Sequence, residues 1–462
     1  MNCNQLPEAY IEQMKRLLSQ AGFFAYEQSL SQPVTRALRL NLLRCPDGKP
    51  PCDIEGLGEP VPWARGAYFV EGDARPGLSP LHEGGLYYLQ EPSALSAVSA
   101  LDPQPGERVL DLCAAPGGKS TQIAALMAGR GVLVCNEPVP SRAQILSRNI
   151  ERMGVANAIV TSAMPDQLSP RFEGYFDRVL VDAPCSGEGM FRRQIEARAE
   201  WNENSPRGCA DRQMEILEEA AKMLAPGGVM VYSTCTFNDT ENEGVLARFL
   251  ALHPEFALEP IDLPGLPDGS RGYIHLYPHE IRGEGHFVSR LRRREDAPAA
   301  APFAGGPAAR RGRNDRRKGG RAPAPAAMAM PDVLARGVCP GALYTAGDCL
   351  WALPQGFPEE ELPRLAGLRV LRTGLLCAHA EGKRTEPDHA LAMALAPHQA
   401  ARCAELTHEQ ALAYQAGETL DLGALESGYT LLCRCGVPLG FGKQAGGVMK
   451  NHYPKGLRRR SG

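Results

Sequence analysis

The sequence predicts an α/β protein whose core is a doubly wound parallel sheet, with smaller domains on either side. Three observations predict it. Between about residues 105 and 290, short β-branched and apolar runs alternate with helix-period patterns. The residues suited to chemistry fall just after those runs, where a doubly wound sheet binds its ligands. A chain of 462 residues with 44% hydrophobic content is also long enough to bury more than one core.

Taken in order, residues 1–92 open with one helix-like stretch and continue rich in Pro and Gly, which predicts a small separate domain. Residues 93–294 carry the alternating pattern. RVLDLC (108–113), GVLVCNE (131–137), NAIVTSA (157–163), DRVLVDAP (177–184) and VMVYSTCTF (229–237) read as buried strands. Met214, Leu217, Ala221 and Leu224 fall on one helical face before a Pro-Gly-Gly stop at 226–228. Residues 295–331 are dominated by Ala, Pro, Gly and Arg with one aromatic, which predicts a disordered basic linker. Within it, 310–321 carry seven Lys or Arg against one Asp, a local charge of +6, so the rest of the chain sums to −9. Charge concentrated in this way suits a polyanionic partner.

Several function classes are excluded at this stage. The amino terminus has no basic flank followed by an apolar run, and no segment approaches the ~18 apolar residues of a membrane span. The expected location is the cytoplasm, with no membrane partner, and the chain is expected to be monomeric. The fourteen cysteines lack the close, even spacing of a disulfide framework, so reduced thiols are expected. None forms a zinc-spaced set, so no metal is expected, and the pair Cys433 and Cys435 reads as structural.

After the first strand, CAAPGGKS (113–120) is a glycine-containing turn that opens a helix. A phosphate-binding loop would need Gly where Cys113 stands, and the dinucleotide pattern GxGxxG is absent. A turn that lets the methionine part of S-adenosylmethionine lie against backbone remains. Glu137 ends the second strand, where a carboxylate can accept hydrogen bonds from both ribose hydroxyls.

Two later strands each end in a cysteine, Cys185 in DAPCSG and Cys235 in STCTF, whereas Cys113 and Cys135 read as small hydrophobes. Cytosine explains why two thiols would be needed. Its carbon 5 is too weak a nucleophile to take a methyl group unaided, and thiolate attack at carbon 6 turns it into an enamine. A second group near the first thiol then assists release. Asp182 is placed to bond the amino group and ring nitrogen of the base, and Lys119 to supply positive charge. Position alone leaves the order of the two cysteines open.

CAAPGGK, DAPCSGEGMF, STCTF and GEGHF (283–287) resemble the RNA cytosine-carbon-5 methyltransferases of the RsmB/NOP2 family, as do RALRLN (36–41) and YYLQEPSA (87–94). PLGFGKQAGGVMKNHYPKGLR (438–458) resembles the PUA-like RNA-binding module of the RsmF type, and EPDHALAMAL (386–395) the small domain before it. The resemblance implies a Rossmann-like class I S-adenosylmethionine methyltransferase core. It further implies a small amino-terminal α+β RNA-binding or accessory domain, a small α+β domain at 332–400 and a β-rich PUA-like domain at 401–462. It implies Cys235 as nucleophile, Cys185 as the residue assisting product release, and Asp182 and Lys119 as further catalytic groups. The implied cofactor contacts are Cys113, Ala114, Ala115, Pro116, Gly117, Gly118, Lys119, Glu137, Arg142 and Asp182. Many relatives place an Asp after the third strand to meet adenine; this chain reads TSAMPDQ, with Ser162 or Met164 near that position and Asp166 left out of the assignment.

From Lys443 onward the chain holds six Lys or Arg and no acid, with His452 and Tyr453 interleaved and Phe441 just before. That mixture suits phosphate contact and base stacking, so Lys443, Lys450, His452, Tyr453 and Lys455 are the expected RNA contacts. The expected substrate is 16S ribosomal RNA or the small subunit. Transfer RNA is the alternative substrate, and a catalytically silent RNA-binding or assembly factor the alternative class. The presence of both cysteines, Asp182 and Lys119 argues against silence.

Overall fold

A computed structural model describes residues 6–298, 303, 328–381, 384–423 and 425–458. Most of the basic linker therefore lies outside the described residues. The first sheet holds β1 (Ala37–Leu40), β2 (Leu57–Pro60), β3 (Ala67–Val70) and β4 (Tyr87–Gln90) in the order β2-β3-β1-β4. The central sheet contains β5 (Arg108–Asp111), β6 (Val132–Asn136), β7 (Ala158–Thr161), β8 (Phe176–Asp182) and β9 (Leu224–Thr234), all mutually parallel. The antiparallel strands β10 (Phe256–Leu258), β11 (Tyr273–Leu276) and β12 (His286–Arg293) extend it beyond β9.

All five sequence-read strands are present, and their near-continuous apolar character is explained by burial on both faces. One face packs on the helix Ser205–Met223 through Met214 and Leu217. The other packs on the helices Gly118–Leu126 and Pro140–Arg152 through Ile123, Leu146 and Ile150. Each fully buried side chain of this size contributes roughly 1.5–3 kcal/mol. The helix ends one residue earlier than its periodicity suggested. Leu224 instead pairs with Phe176 and begins β9, so the Pro-Gly-Gly segment lies inside that strand.

The amino-terminal helices Glu8–Leu17 and Gln20–Ser29 do not build a core with the adjacent sheet. Tyr10, Met14 and Tyr26 pack with Phe191, Trp201, Phe237 and Tyr277, next to the two cysteine loops. Tyr10 meets Phe191 and Trp201 edge-on at centroid distances of 5.0 and 5.7 Å.

Beyond the linker, β13 (Ala342–Ala346), β14 (Cys349–Leu353), β16 (Leu375–Glu381) and β17 (Arg384–Pro387) form an antiparallel sheet. Between them, β15 (Val370–Thr373) leaves that sheet and pairs antiparallel with β7, at the edge of the central sheet. The full central order is β10-β12-β9-β8-β5-β6-β7-β15, with β11 on β12. The buried Arg372 on β15 forms an ion pair with Glu151 at 2.7 Å. A last sheet, β18 (Cys403–Glu405), β19 (Gly428–Arg434), β20 (Val437–Ala445) and β21 (Val448–Asn451), completes the chain. The α/β class and its β-rich carboxy-terminal region thus match expectation.

Candidate active site

The strand order reverses around β5, whose neighbours are β6 and β8, and the site lies beyond the carboxy ends of these strands. The loop after β5 is held from both sides. Ala114 N–H donates to Asn136 O at 2.8 Å, Arg142 to Ala115 O at 3.1 Å, and Asn149 to Pro116 O at 2.9 Å. Gly117 has φ +109°, and a β-carbon there would press on Leu146, so the turn into the helix requires glycine. From the amino-terminal sheet, the buried Arg39 of RALRLN donates to Gly118 O at 3.1 Å and Thr121 Oγ1 at 2.8 Å. The sequence motif far upstream thus braces the loop.

Beneath the loop, the fully buried Asp111 accepts from Ser120 Oγ at 2.6 Å, while its other oxygen has no partner. Burial pushes its pKa up to about 7. Glu137, just after β6, is 2% exposed and accepts from Val139 N–H at 3.0 Å and from Arg142. Glu137 also lines a cavity of about 780 Å³. Cys113, Ala115 and Arg142 line the same cavity. Backbone loop, buried acceptor and apolar wall fit S-adenosylmethionine. Met164, Pro165 and Asp166, just after β7, also line the cavity, and Ser162 Oγ donates to Pro138 O.

The same cavity is lined further by Asp182, Cys185 and Cys235. Asp182 and Ser233 are register partners on β8 and β9, so the two cysteines leave adjacent strand ends side by side. Their sulfurs are 3.3 Å apart. The hydrogen bond to Cys235 and then burial hold the Cys185 thiol well above its ordinary pKa, and either sulfur can donate in the contact between them. Burial likewise pushes up the Cys113 and Cys135 thiols, which disfavours their thiolates.

Asp182 accepts from Lys119 Nζ and Ser233 Oγ, each at 2.8 Å. His286, from GEGHF, is 3% exposed and places Nε2 3.4 Å from the same carboxylate, outside hydrogen-bond geometry. Burial opposes the charge of Asp182, yet the Lys119 ammonium leads the effects that outweigh it and hold the carboxyl well below the usual range. Asp182 is therefore ionised beside a fixed ammonium. His286 itself is held neutral by burial and by Lys119.

The expected RNA residues separate into two groups. Lys443 and Lys450 are direct cross-strand partners on β20 and β21; Lys443 Nζ lies 4.5 Å over the Tyr429 ring, and His452 meets that ring edge-on at 5.2 Å. Lys455 is exposed. Tyr453 is a correction. It is 4% exposed and packed edge-on against His389 and Tyr414, so neither ring face is open to a base. Phe441 is buried as well. Sequence reasoning missed Asp111, His286, Glu188 and Glu241, although three of the four lie in motifs it had quoted or next to them.

A family profile described as 16S rRNA methyltransferase RsmB/F matches residues 98–292. The Ribosomal RNA small subunit methyltransferase F of Erwinia tasmaniensis is 34% identical, covering 98% of this chain and 97% of that protein. This chain belongs to the RsmB/F family of 16S rRNA methyltransferases. Within the family it shares the RsmF type's further modules. Profiles for the RsmF amino-terminal domain, first carboxy-terminal domain and PUA domain match 6–92, 332–395 and 401–459. The methyltransferase F of Klebsiella pneumoniae is 33% identical over 99% of this chain and 98% of that protein. Among solved structures, a methyltransferase homologue from Pyrococcus horikoshii is 28% identical with TM-score 0.50, covering 62% of this chain and all of the other. The P. horikoshii NSun6, solved with SFG, shares the fold at 22% identity and TM-score 0.53, covering 63% of this chain and 99% of that one.

Proposed function

We propose that this chain methylates carbon 5 of a cytosine in 16S ribosomal RNA, using S-adenosylmethionine and a transient covalent bond from Cys235 to carbon 6. The observation that carries the reading is the pair of thiols 3.3 Å apart in the cavity that Glu137, Cys113 and Ala115 also line. When bound, S-adenosylmethionine supplies an electrophilic methyl group; the loop, Glu137 and Arg142 would hold it. The Cys235 thiolate forms a bond to carbon 6, and the displaced electron pair moves to carbon 5, which takes the methyl group. Asp182 accepts from the amino group of the base, and Lys119 keeps that carboxylate charged and oriented. The carbon 5 proton then passes to solvent water, its bonding pair restores the double bond to carbon 6, and the carbon–sulfur pair leaves with Cys235 as a thiolate. Cys185 assists this release.

Residues 93–294 are the transferase domain in this reading. Residues 1–92 and 332–400 are accessory domains, and 401–462, with Lys443, Lys450, His452 and Lys455, contact RNA. The 295–331 linker adds basic charge. The chain acts as a cytoplasmic monomer; among the described residues no helix is long and apolar enough to cross a membrane, and no group of three or more His, Cys, Asp or Glu has metal-site geometry.

Methyl-labelled cofactor offered with small ribosomal subunits or bulk transfer RNA tests the substrate. Label in the subunits is expected; label only in transfer RNA moves the substrate, and label in neither refutes the enzyme reading. Cys185→Ala should accumulate a covalent RNA adduct and Cys235→Ala should form none. An adduct confined to the Cys235 variant reverses the two roles.

A further inference from the structure

The two cysteine loops hold each other through a pair of buried carboxyl groups that cross between them. Glu188 lies three residues after Cys185 and is 1% exposed. Its Oε2 accepts from the backbone N–H groups of Phe237 and Asn238, at 2.9 and 3.0 Å, on the loop that follows Cys235. Glu241 lies six residues after Cys235 and is fully buried. Its Oε2 accepts from the backbone N–H of Ser186, adjacent to Cys185, at 3.1 Å, and from Gln213 at 2.8 Å. Each loop thus sends a carboxyl group to the main chain of the other. Asn238 Nδ2 ties the two together, donating to Glu188 Oε1 at 3.1 Å and Glu241 Oε1 at 2.8 Å. Gly189 N–H completes the junction by donating to Cys235 O at 2.8 Å.

Among the described residues, the donors to the two carboxyls are main-chain and side-chain amides and the Trp201 indole N–H, none of them a cation. Their bonds go to amides that carry a stated geometric burden: the backbone just beyond each thiol. From the amino-terminal helix, Gln13 Nε2 reaches Glu188 Oε1 at 2.9 Å, so the first element of the chain braces the same junction.

We infer that Glu188 and Glu241 are positioning residues with separable duties, Glu188 aligning the loop of the attacking thiol Cys235 and Glu241 aligning the loop of the releasing thiol Cys185. The inference rests on the proposed roles of the two cysteines. Misplacement of a reacting group by about 1 Å costs up to about a hundredfold in rate, and each carboxyl fixes one group.

The test compares Glu188→Gln and Glu241→Gln with Cys185→Ala and Cys235→Ala in the full chain, using small ribosomal subunits and S-adenosylmethionine. Covalent adduct and methylated product are measured together, and thermal unfolding reports the fold. Glu241→Gln should raise the adduct-to-product ratio by about tenfold, in the direction of Cys185→Ala. Glu188→Gln should lower adduct and product together. Equal losses in both variants, with an unchanged adduct-to-product ratio, would show that the carboxyls only stabilise the fold and would overturn the inference. If Cys185→Ala accumulates no adduct, the cysteine roles fail first, which is a different result. Glu241→Asp, which keeps the acid but shortens its reach to Ser186, carries the same ratio measurement if Glu241→Gln does not fold.

Discussion

Asp182→Asn separates what Asp182 does for stability from what it does for chemistry. The substitution removes the charge that faces Lys119 at 2.8 Å, while the lysine side chain remains only 12% exposed. Stranding one member of a buried pair costs about 3–5 kcal/mol, and the 29% exposure of the Asp182 side chain places the loss near the lower end, about 3 kcal/mol. In a catalytic core of this size that lowers the melting temperature by about 6–12 °C. Turnover should fall about a hundredfold or more, because the acceptor for the base is weakened and Lys119 loses its orientation. Adding Lys119→Met removes the stranded ammonium. Stability should then recover most of its loss while activity stays low. The pH dependence has a defined sign: the folded carboxyl is depressed, so its contribution is complete above the unfolded pKa of about 3.9 and is lost as pH falls below it. Calorimetry and single-turnover methyl transfer measure the two effects. A single variant with parental stability, or a double variant no more stable than the single one, refutes the pairing; unchanged turnover refutes the role at the base.

Other outcomes follow from the same geometry. Lys450→Ala should weaken RNA binding and reduce the salt slope by roughly one unit or slightly less, with no loss of stability, because Lys450 faces Lys443 directly across the strands. Tyr453→Ala should instead unfold its domain by about 3–5 kcal/mol; a stable variant that fails only in RNA binding would restore Tyr453 to the interface. Burial holds His389 down to about 4, so the carboxy-terminal region should lose stability as pH falls from 6.5 toward 4, by up to about 3 kcal/mol, and His389→Phe should flatten that dependence in thermal scans. Deleting 308–321 should weaken RNA binding and flatten its salt dependence, and unchanged affinity at low salt would exclude the linker from binding.

The central sheet was legible because a strand buried on both faces writes itself as a continuous apolar run, as in VLVCN and the VLV of FDRVLVD. The strand-end residues Glu137, Asp182, Cys185 and Cys235 were legible for the same reason: once the strands are placed, their ends are placed. Glu188 and Glu241 were not, because their partners are main-chain amides on a loop about fifty residues away, and amides carry no sequence signal. Tyr453 was misread because an aromatic among lysines looks alike whether it stacks on a base or packs edge-on against Tyr414. The docking of Tyr10 and Met14 on the catalytic loops was equally hidden; an amphipathic helix announces an apolar face but not what covers it.

The pairing of β15 with β7 has a consequence for how the protein can be made and divided. Val370–Thr373 pairs with a strand that would otherwise be an open, mostly apolar sheet margin. During synthesis that margin stays uncovered until the ribosome has passed the basic linker. A fragment ending near residue 294 would hold every residue assigned to the chemistry and still present a bare β7 to its neighbours, inviting edge-to-edge association. The transferase region is therefore better regarded as a core finished by its own carboxy-terminal half than as a cassette that can be excised.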